Sequence, residues 1–558
     1  MSKKLIQRLA GIALILIILA SSFMAYNRKS QYSYNVPHLL GMENGETAVQ
    51  LDGPRTTTTE GPFVENHGAP ESLDVDLRTL PQVGPTEKRI MREMGQFPTA
   101  QQESNVEDGA LQVEKPSINA PAPTKSFKGL DSNSWGAGWP PDTHGDVGPT
   151  HYVQAVNTSI GIFRKSDGAR LAAFTFDNFF SANGGTGMCA TNNNGDPIVL
   201  YDQVSGRWII SDFAWADILN GPYYQCIAVS KTGNPVSGGW WLYTFKAHDN
   251  WLNDYPKLGV WRDGIYMSAN MFDCTSPGCG SASYKGVRVW ALNRTNLING
   301  TALKSVAFNL GSAYGSLLPA NVRGTLPPAG TREYFLADAT SNSMYMWKFK
   351  VNWGTPSSST FTGPQTFSVA AFTYPNWSAA VPQKNTSQKV DTLGDRLMTW
   401  LQYSNVGGTQ SLWVSRTVQI GGRTGIRWYE VRNMSATPST FQQGTYAPNG
   451  AWRWMPSLAV DKQGNMAMVY SMSSGSLFPS IRYAGRLAGN ALNTIGQGER
   501  VLINGTGSQT GINRWGDYAS ISVDPEDGCT FWMTTEYYDA TGSNWQTRIG
   551  AFKYPGCN

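Results

Sequence analysis

The chain is expected to be all-β and to fold as a β-propeller, and three observations carry that expectation. Its composition is turn-rich and aromatic, with 59 Gly, 20 Trp and 24 Tyr in 558 residues and only 15% charged. That mixture suits pleated sheets joined by tight turns. A hairpin pattern recurs along the chain: a short strand, a brief turn rich in Asp, Gly, Ser or Asn, then a strand carrying aromatics or Met. No helical stretch separates the repeats, which start roughly 50–80 residues apart, and a four-stranded blade needs about 40–50. Seven blades are expected; six or eight also fit the spacing, and two stacked β-sandwich domains are the competing architecture.

Residues 1–25 precede that region. Lys3, Lys4 and Arg8 lead into the uncharged apolar run LAGIALILIILASSFMA. This reads as a secretion signal cleaved near Ala20-Ser21-Ser22, or as a retained single-pass anchor. Both place the remainder outside the cytoplasm. Residues 26–125, with TTTTEGP, NHGAPES and NAPAPTKS, read as an extended or disordered stalk or pro-segment, either a spacer or a piece that packs on the main domain. Within it LDVDLRTLPQV reads as a short ordered piece and EKRIMREMGQF (87–97) as helical. Residues 126–558 form the propeller domain.

The repeated hairpins are GDVGPTHYVQAVN (145–157), PIVLYDQVSGRWIISDF (197–213), PKLGVWRDGIYMSANM (256–271) and YFLADATSNSMYMWKFK (334–350). QKVDTLGDRLMTWLQY (388–403), PSLAVDKQGNMAMVYS (456–471) and ASISVDPEDGCTFWMTTEY (519–537) continue the series. Val147, Tyr201, Val260, Ala337, Val390, Val460 and Val523 are taken as equivalent. GVRVWALNR (286–294) and GIRWYEVRN (425–433) read as corresponding outer strands.

The formal charge of +4 and the absence of a basic block beyond the N-terminus leave no footprint for nucleic acid. Six cysteines in an exported chain argue for disulfides, with nearest-neighbour pairing expected: Cys189–Cys226, Cys274–Cys279 and Cys529–Cys557. Cysteine spacing suited to a metal is absent, and so are the serine-nucleophile, zinc-protease and phosphate-loop motifs.

With the hairpins aligned, the residues ahead of each first strand would ring one mouth of a central channel. They are Asp142 and Thr143, Gly195 and Asp196, Asp254 and Tyr255, Glu333, Asn385, Arg453 and Trp454, then Arg514, Trp515 and Asp517. Asp142, Asp254 and Asp517 are candidate catalytic carboxylates, because paired carboxyls about 5–10 Å apart work as acid and base on a glycosidic bond. Asp196, Tyr255, Arg453, Trp454, Arg514 and Trp515 are candidate ligand contacts through hydrogen bonds and ring stacking. Asp142, Asp146, Asn194 and Asp196 offer oxygen ligands for Ca²⁺, though neither loop has EF-hand spacing. His144 and His151 carry no expectation of zinc or catalysis.

PPDTHGDVGPTHYVQAVN, GDPIVLYDQVSGRW, PSIRYAGRLAG and NRWGDYASISVDPEDGCTFW resemble blocks found in the same order in a widespread group of exported bacterial proteins. The resemblance covers about residues 126–557 and implies fold and export, without an activity. More loosely, SVDPEDGCTFW (522–532) is similar to the Asp-box of sialidases and related propellers, which implies a structural hairpin. A sialidase reading would draw on Arg453, Arg482, Arg514, Arg548, Tyr483 and Glu536, but the Arg-Ile-Pro motif of those enzymes is missing.

The functional expectation is a secreted or membrane-tethered monomeric propeller that binds an extracellular glycan at its channel mouth. Cleavage of the glycan by a hydrolase or lyase, and a structural or adhesive role, are the alternatives.

Overall fold

In the computed structural model, residues 55–81, 89–90, 106–134, 138–276, 279, 281–375 and 380–558 are described, and the strands group into antiparallel meanders of four. Their innermost strands are His144–Val147, Gly195–Asp202, Leu252–Val260, Leu318–Val322, Met398–Val406, Trp452–Val460 and Ser520–Val523. Each packs against the next in that order, and the last returns to the first, so the inner strands close a ring. This is a β-propeller. Two stacked sandwiches would leave the first and last inner strands apart, and that architecture is excluded.

Local chemistry explains why the hairpins form. Asp202 accepts from the amides of Val204 and Ser205, Asp461 from those of Gln463 and Asn465, and Asp524 from that of Glu526. Each is an Asx-type turn, and the glycine that follows (Gly206, Gly464 or Gly528) sits at φ 66°, 84° or 65°. In SVDPEDGCTFW the second oxygen of Asp524 also accepts from Trp532 Nε1 at 3.1 Å, tying the turn to the returning strand.

The fourth and fifth repeats differ from the sequence reading. Ala337 lies in Glu333–Thr340, the second strand of its meander, and Val390 lies ahead of its inner strand in a bridge to Val381. The fourth inner strand, LPANV, is five residues long and has no Asp–Gly turn after it, so the hairpin pattern slipped one strand outward. The segments 286–294 and 425–433 do correspond, falling mostly in the third strands Ala282–Leu292 and Arg423–Arg432.

Side chains clasp neighbouring inner strands where the strands splay too far for a continuous ladder. His144 Nδ1 and Asp146 Oδ2 accept from the amides of Val199 and Tyr201, and Asn321 Oδ1 accepts from Val260. Gln402 Oε1 accepts from Val460, and Ser457 Oγ from Ile521. Only the fourth and fifth inner strands pair directly, in parallel from Ala320 with Leu401 to Val322 with Tyr403. Among the described residues nine fully buried tryptophans, Trp208, Trp290 and Trp428 among them, fill the wedges between sheets.

The chain before residue 132 adds to the outer edges. Thr59–Asn66 and Glu71–Leu73 become fifth strands on the third and second meanders, and Ile118–Asn119 pairs in parallel with Gln497–Ile503 of the sixth. Lys125–Asp131 is the fourth strand of the last meander, so the two ends of the domain close one sheet together. Arg288 holds Glu65 at 2.5 Å, and Arg427 holds Asp108. These described pieces of 26–125 are therefore propeller edge, not free stalk. Arg89–Ile90, expected in a helix, pairs as extended chain with Gly138–Trp139. The rest of that stretch and the expected signal or anchor lie outside the described residues.

The disulfides are Cys189–Cys226, Cys274–Cys279 and Cys529–Cys557. Three of them point to an oxidising, extracytoplasmic compartment. No described helix is long and apolar enough to cross a membrane. Cys529–Cys557 anchors the end of the chain to the last hairpin across 28 residues. Cys529→Ser/Cys557→Ser is expected to cost about 2–4 kcal/mol of stability, read as a lower urea midpoint with a slope that rises as the released unfolded chain exposes more surface.

Candidate functional site

The leading ends of the inner strands share an uncommon backbone. Asp142, Asp196, Tyr255, Ser316, Leu393 and Met455 sit at φ 45°, 52°, 54°, 46°, 41° and 48°, one in each of the first six meanders. Left-handed backbone is uncommon outside glycine, and three of these residues (Asp196, Tyr255, Met455) precede proline, which disfavours compact conformations further. Each such residue costs on the order of 1–3 kcal/mol unless its surroundings hold it, and strain of this kind gathers at functional sites.

What holds them is a connected buried network. Asp142 Oδ1 accepts from the Asp517 amide at 2.7 Å, and its Oδ2 accepts from Asn157 Nδ2 at 2.6 Å. Asn157 Oδ1 in turn accepts from the Asp196 amide, and the Tyr518 hydroxyl donates to Asp196 Oδ2 at 2.8 Å. Lys257 Nζ lies 3.2 Å from the centre of the Tyr255 ring and 4.0 Å from that of Tyr518. Arg396 lies 4.6 Å from the Tyr255 ring centre. Arg514 bridges Asp391 at 3.2 Å and Asp517 at 2.8 Å, while Asp391 Oδ1 accepts from the Trp515 amide.

Burial sets the electrostatics. Removal from water pushes the Asp142 carboxyl up to about 7, Asp196 adds to the rise, and Arg514 and the two hydrogen bonds oppose it. The same burial lowers the Lys257 ammonium to about 7, against the pull of Asp196 and Asp517. Glu536, which accepts from the Gly516 amide, is pushed well above the usual carboxylate range, again chiefly by burial. An acid and a base both shifted toward neutrality by burial in one cluster make it a candidate functional site. Asn194, Asp254 and Arg514 form a half-buried rim, whereas Asp142, Asp196, Lys257, Asp517 and Tyr518 make a buried floor.

The structure therefore gathers Asp142, Asp196, Tyr255, Arg514 and Asp517 at one mouth, with Asp254 on its rim. Arg453 and Trp454 are elsewhere. Arg453 turns outward to Glu499 at 2.8 Å and to Asn449, while Trp454 is buried against Trp515, ring centres 5.2 Å apart. Trp515 is spent in the core too, donating from Nε1 to Ser471. Glu333 is on a second strand and Asn385 is in a loop; Ser316 and Leu393 hold the corresponding places. The four arginines weighed for a sialidase do not converge. Arg482 bonds Asn504 and Ile503, and Arg548 bonds Ser126 on the last meander's outer edge. Tyr483 donates to Pro121 at the sixth meander's edge.

The oxygens considered for calcium are engaged within the protein. Asp146 holds Val147, Tyr201 and Arg323, Asn194 Oδ1 accepts from Trp215, and Asp196 accepts from Tyr518. Among the described residues no three Asp, Glu, His or Cys side chains gather as a metal group. His144 is buried and neutral, its pKa lowered to about 3 by desolvation, and its Nδ1 clasps the second inner strand. At the opposite end of the channel is a cleft of about 110 Å³, lined in part by Gln203, Arg323, Ser404, Lys462 and Asp524.

Sequence reading missed Lys257, Arg396, Asn157, Asp391 and Tyr518. One signal was available: Asp196-Pro197, Tyr255-Pro256 and Met455-Pro456 repeat an X-Pro pair at the left-handed position, which places Lys257 one residue inside the ring.

No family model matches the chain, and no curated protein matches it. Among solved structures, a protein of unknown function from Dyadobacter fermentans is 12% identical, with TM-score 0.35 over 64% of this chain and 94% of its own. The WD40 domain of SCAP from fission yeast is 9% identical, TM-score 0.31, over 70% and 78%. Zg3597, a family 117 glycoside hydrolase from Zobellia galactanivorans, is 9% identical, TM-score 0.23, over 64% and 82%. These are distant likenesses, and the propeller assignment stands on the closed ring of inner strands.

Proposed function

We propose that the chain is an exported seven-bladed propeller that binds an extracellular glycan at the leading end of its inner strands. The carrying observation is the single network that joins Asp142, Asp196, Lys257, Asp517 and Tyr518 from four separate meanders. Carboxyls outnumber cations there: Asp142, Asp196, Asp254, Asp391, Asp517 and Glu536 face Lys257, Arg396 and Arg514. An acid-rich mouth accepts hydrogen bonds from sugar hydroxyls and repels anionic sugars, so a neutral glycan is the class that suits it. Asn194, Asp254 and Arg514 meet the ligand, and the buried floor fixes their charge and position. The shared sequence blocks support placing the chain with the exported bacterial group they resemble.

A glycan array probed with the full chain, compared with Asp254→Asn and Arg514→Gln, tests the reading. Neutral glycans are expected to bind, and both rim variants to weaken them by about tenfold or more. Arg548→Gln on the far edge is expected to change nothing. Binding that survives both rim substitutions would sink the assignment of this mouth. A second reading, glycoside cleavage, is favoured by the Asp142 carboxyl, which stays protonated up to about pH 7 beside Asp196 as an acid catalyst would. Release of shorter products from bound glycans, abolished in Asp142→Asn, would establish it.

A further inference from the structure

A second cavity, of about 270 Å³, opens between the fifth and sixth meanders, away from the leading mouth. None of the residues assigned to that mouth lines it. Two of the large hydrophobic side chains most exposed among the described residues, Phe441 at 40% and Leu492 at 52%, line this one cavity. Arg432 lies over the Phe441 ring at 3.3 Å to the centroid, so the remaining exposure is that of the uncovered part of the ring. Trp413 completes the wall, itself stacked on Trp428 with ring centres 6.2 Å apart.

The polar lining is built and not incidental. Glu430, 1% exposed, accepts from Ser411 Oγ and Arg432 Nε at 2.6 Å each, and from Gln442 Nε2 at 2.5 Å. Gln442, 4% exposed, keeps a side-chain oxygen with no hydrogen-bond partner, and a buried acceptor left open is costly unless a ligand fills it. Aromatic surface beside fixed carboxylate, amide and guanidinium groups matches a pyranose, whose C–H face stacks on rings while its hydroxyls pair with planar polar side chains. The volume falls just below the about 300–1,000 Å³ of drug-sized pockets, which suits a single ring.

We propose that this groove is a second carbohydrate site taking one neutral sugar unit, stacked on Phe441 and hydrogen-bonded by Gln442 and Arg432. It is independent of the leading mouth. A purely apolar occupant, such as a protein side chain, would leave Gln442 and the Arg432 edge unanswered.

The test is saturation-transfer NMR on the full chain with methyl glycosides of glucose, galactose, mannose and N-acetylglucosamine, beside N-acetylphenylalanine amide. At least one glycoside is expected to receive saturation through its ring C–H protons. In an Asp254→Asn/Arg514→Gln background, which silences the leading mouth, Phe441→Ala and Gln442→Leu are each expected to reduce that signal about tenfold, while Arg548→Gln leaves it intact. Thermal melting checks that the variants fold; Phe441 is exposed, so its truncation keeps the domain intact. No glycoside signal in that background, or a signal there unmoved by Phe441→Ala, overturns the site. Binding of N-acetylphenylalanine amide with no glycoside binding would assign the groove to a protein partner instead and equally overturn the proposal.

Discussion

Asp142→Asn is expected to flatten the pH dependence of stability between about pH 4 and 7 and to leave the protein more stable than wild type at pH 8. Burial raises the folded-state carboxyl to about 7, against 3.8 for an aspartate in water. Between those values the folded chain binds the extra proton, so wild-type stability falls as pH rises through that window. Full ionisation costs about 4 kcal/mol at 1.36 kcal/mol per pKa unit. Lys257 contributes in the opposite sense above pH 7. Its folded pKa is lowered, so the unfolded chain holds more protons there and stability recovers as pH rises. Below pH 7 Lys257 is charged in both states, so the difference between variant and wild type there reports Asp142 together with the carboxyls it interacts with, Asp196 and Glu536. Asn at this position keeps an acceptor for the Asp517 amide but offers a poorer partner to Asn157 Nδ2, a loss of about 1 kcal/mol and smaller than the gain. Urea midpoints at pH 5, 6, 7 and 8 decide the matter. An identical slope in variant and wild type would show that Asp142 titrates normally and that the floor is not the charged cluster described.

The parts of the fold that were legible are those with local causes. Asp202, Asp461 and Asp524 start turns through bonds to amides two or more residues on, and a reader of the sequence sees both partners. The inner strand LPANV offers nothing of the kind, so the repeat there was misplaced onto Glu333. The leading residues were found in the first, second, third and seventh meanders, and missed at Ser316, Leu393 and Met455. Which way a side chain points was harder. The register shift between Trp454 and Ser457 repeats the one between Asp254 and Lys257, which makes Met455 the counterpart of Tyr255 and leaves Arg453, two residues earlier, turned to Glu499. The strands at Thr59–Asn66 and Lys125–Asp131 were invisible for another reason. An edge strand borrows its order from the sheet it joins, so its own sequence carries little period, and low aromatic content alone reads as stalk.

Asp146→Ala is expected to lower the unfolding free energy by about 3–5 kcal/mol, the usual consequence of removing one partner from a buried ion pair. Asp146 is fully buried and clasps the ring at the trailing ends of its strands, away from the left-handed residues. One oxygen accepts from its neighbour's amide; the other accepts from Tyr201 on the second inner strand and pairs with Arg323, just past the fourth. Truncation leaves the Arg323 guanidinium, 5% exposed, without its carboxylate, and leaves the Tyr201 amide without an acceptor. Arg323→Met in the same chain removes the orphaned charge, so the double variant is expected to recover part of the loss, and denaturation midpoints of the wild type, both single variants and the double measure the coupling. The experiment also separates this reading from a calcium site. An ion pair is indifferent to chelators, whereas a calcium loop built on Asp146 would lose stability in EDTA with the wild-type sequence. An unchanged wild-type midpoint in EDTA, together with partial recovery in the double variant, assigns Asp146 to the closure of the ring. A drop in EDTA matching that of Asp146→Ala would instead make the carboxylate a metal ligand and Arg323 its bystander.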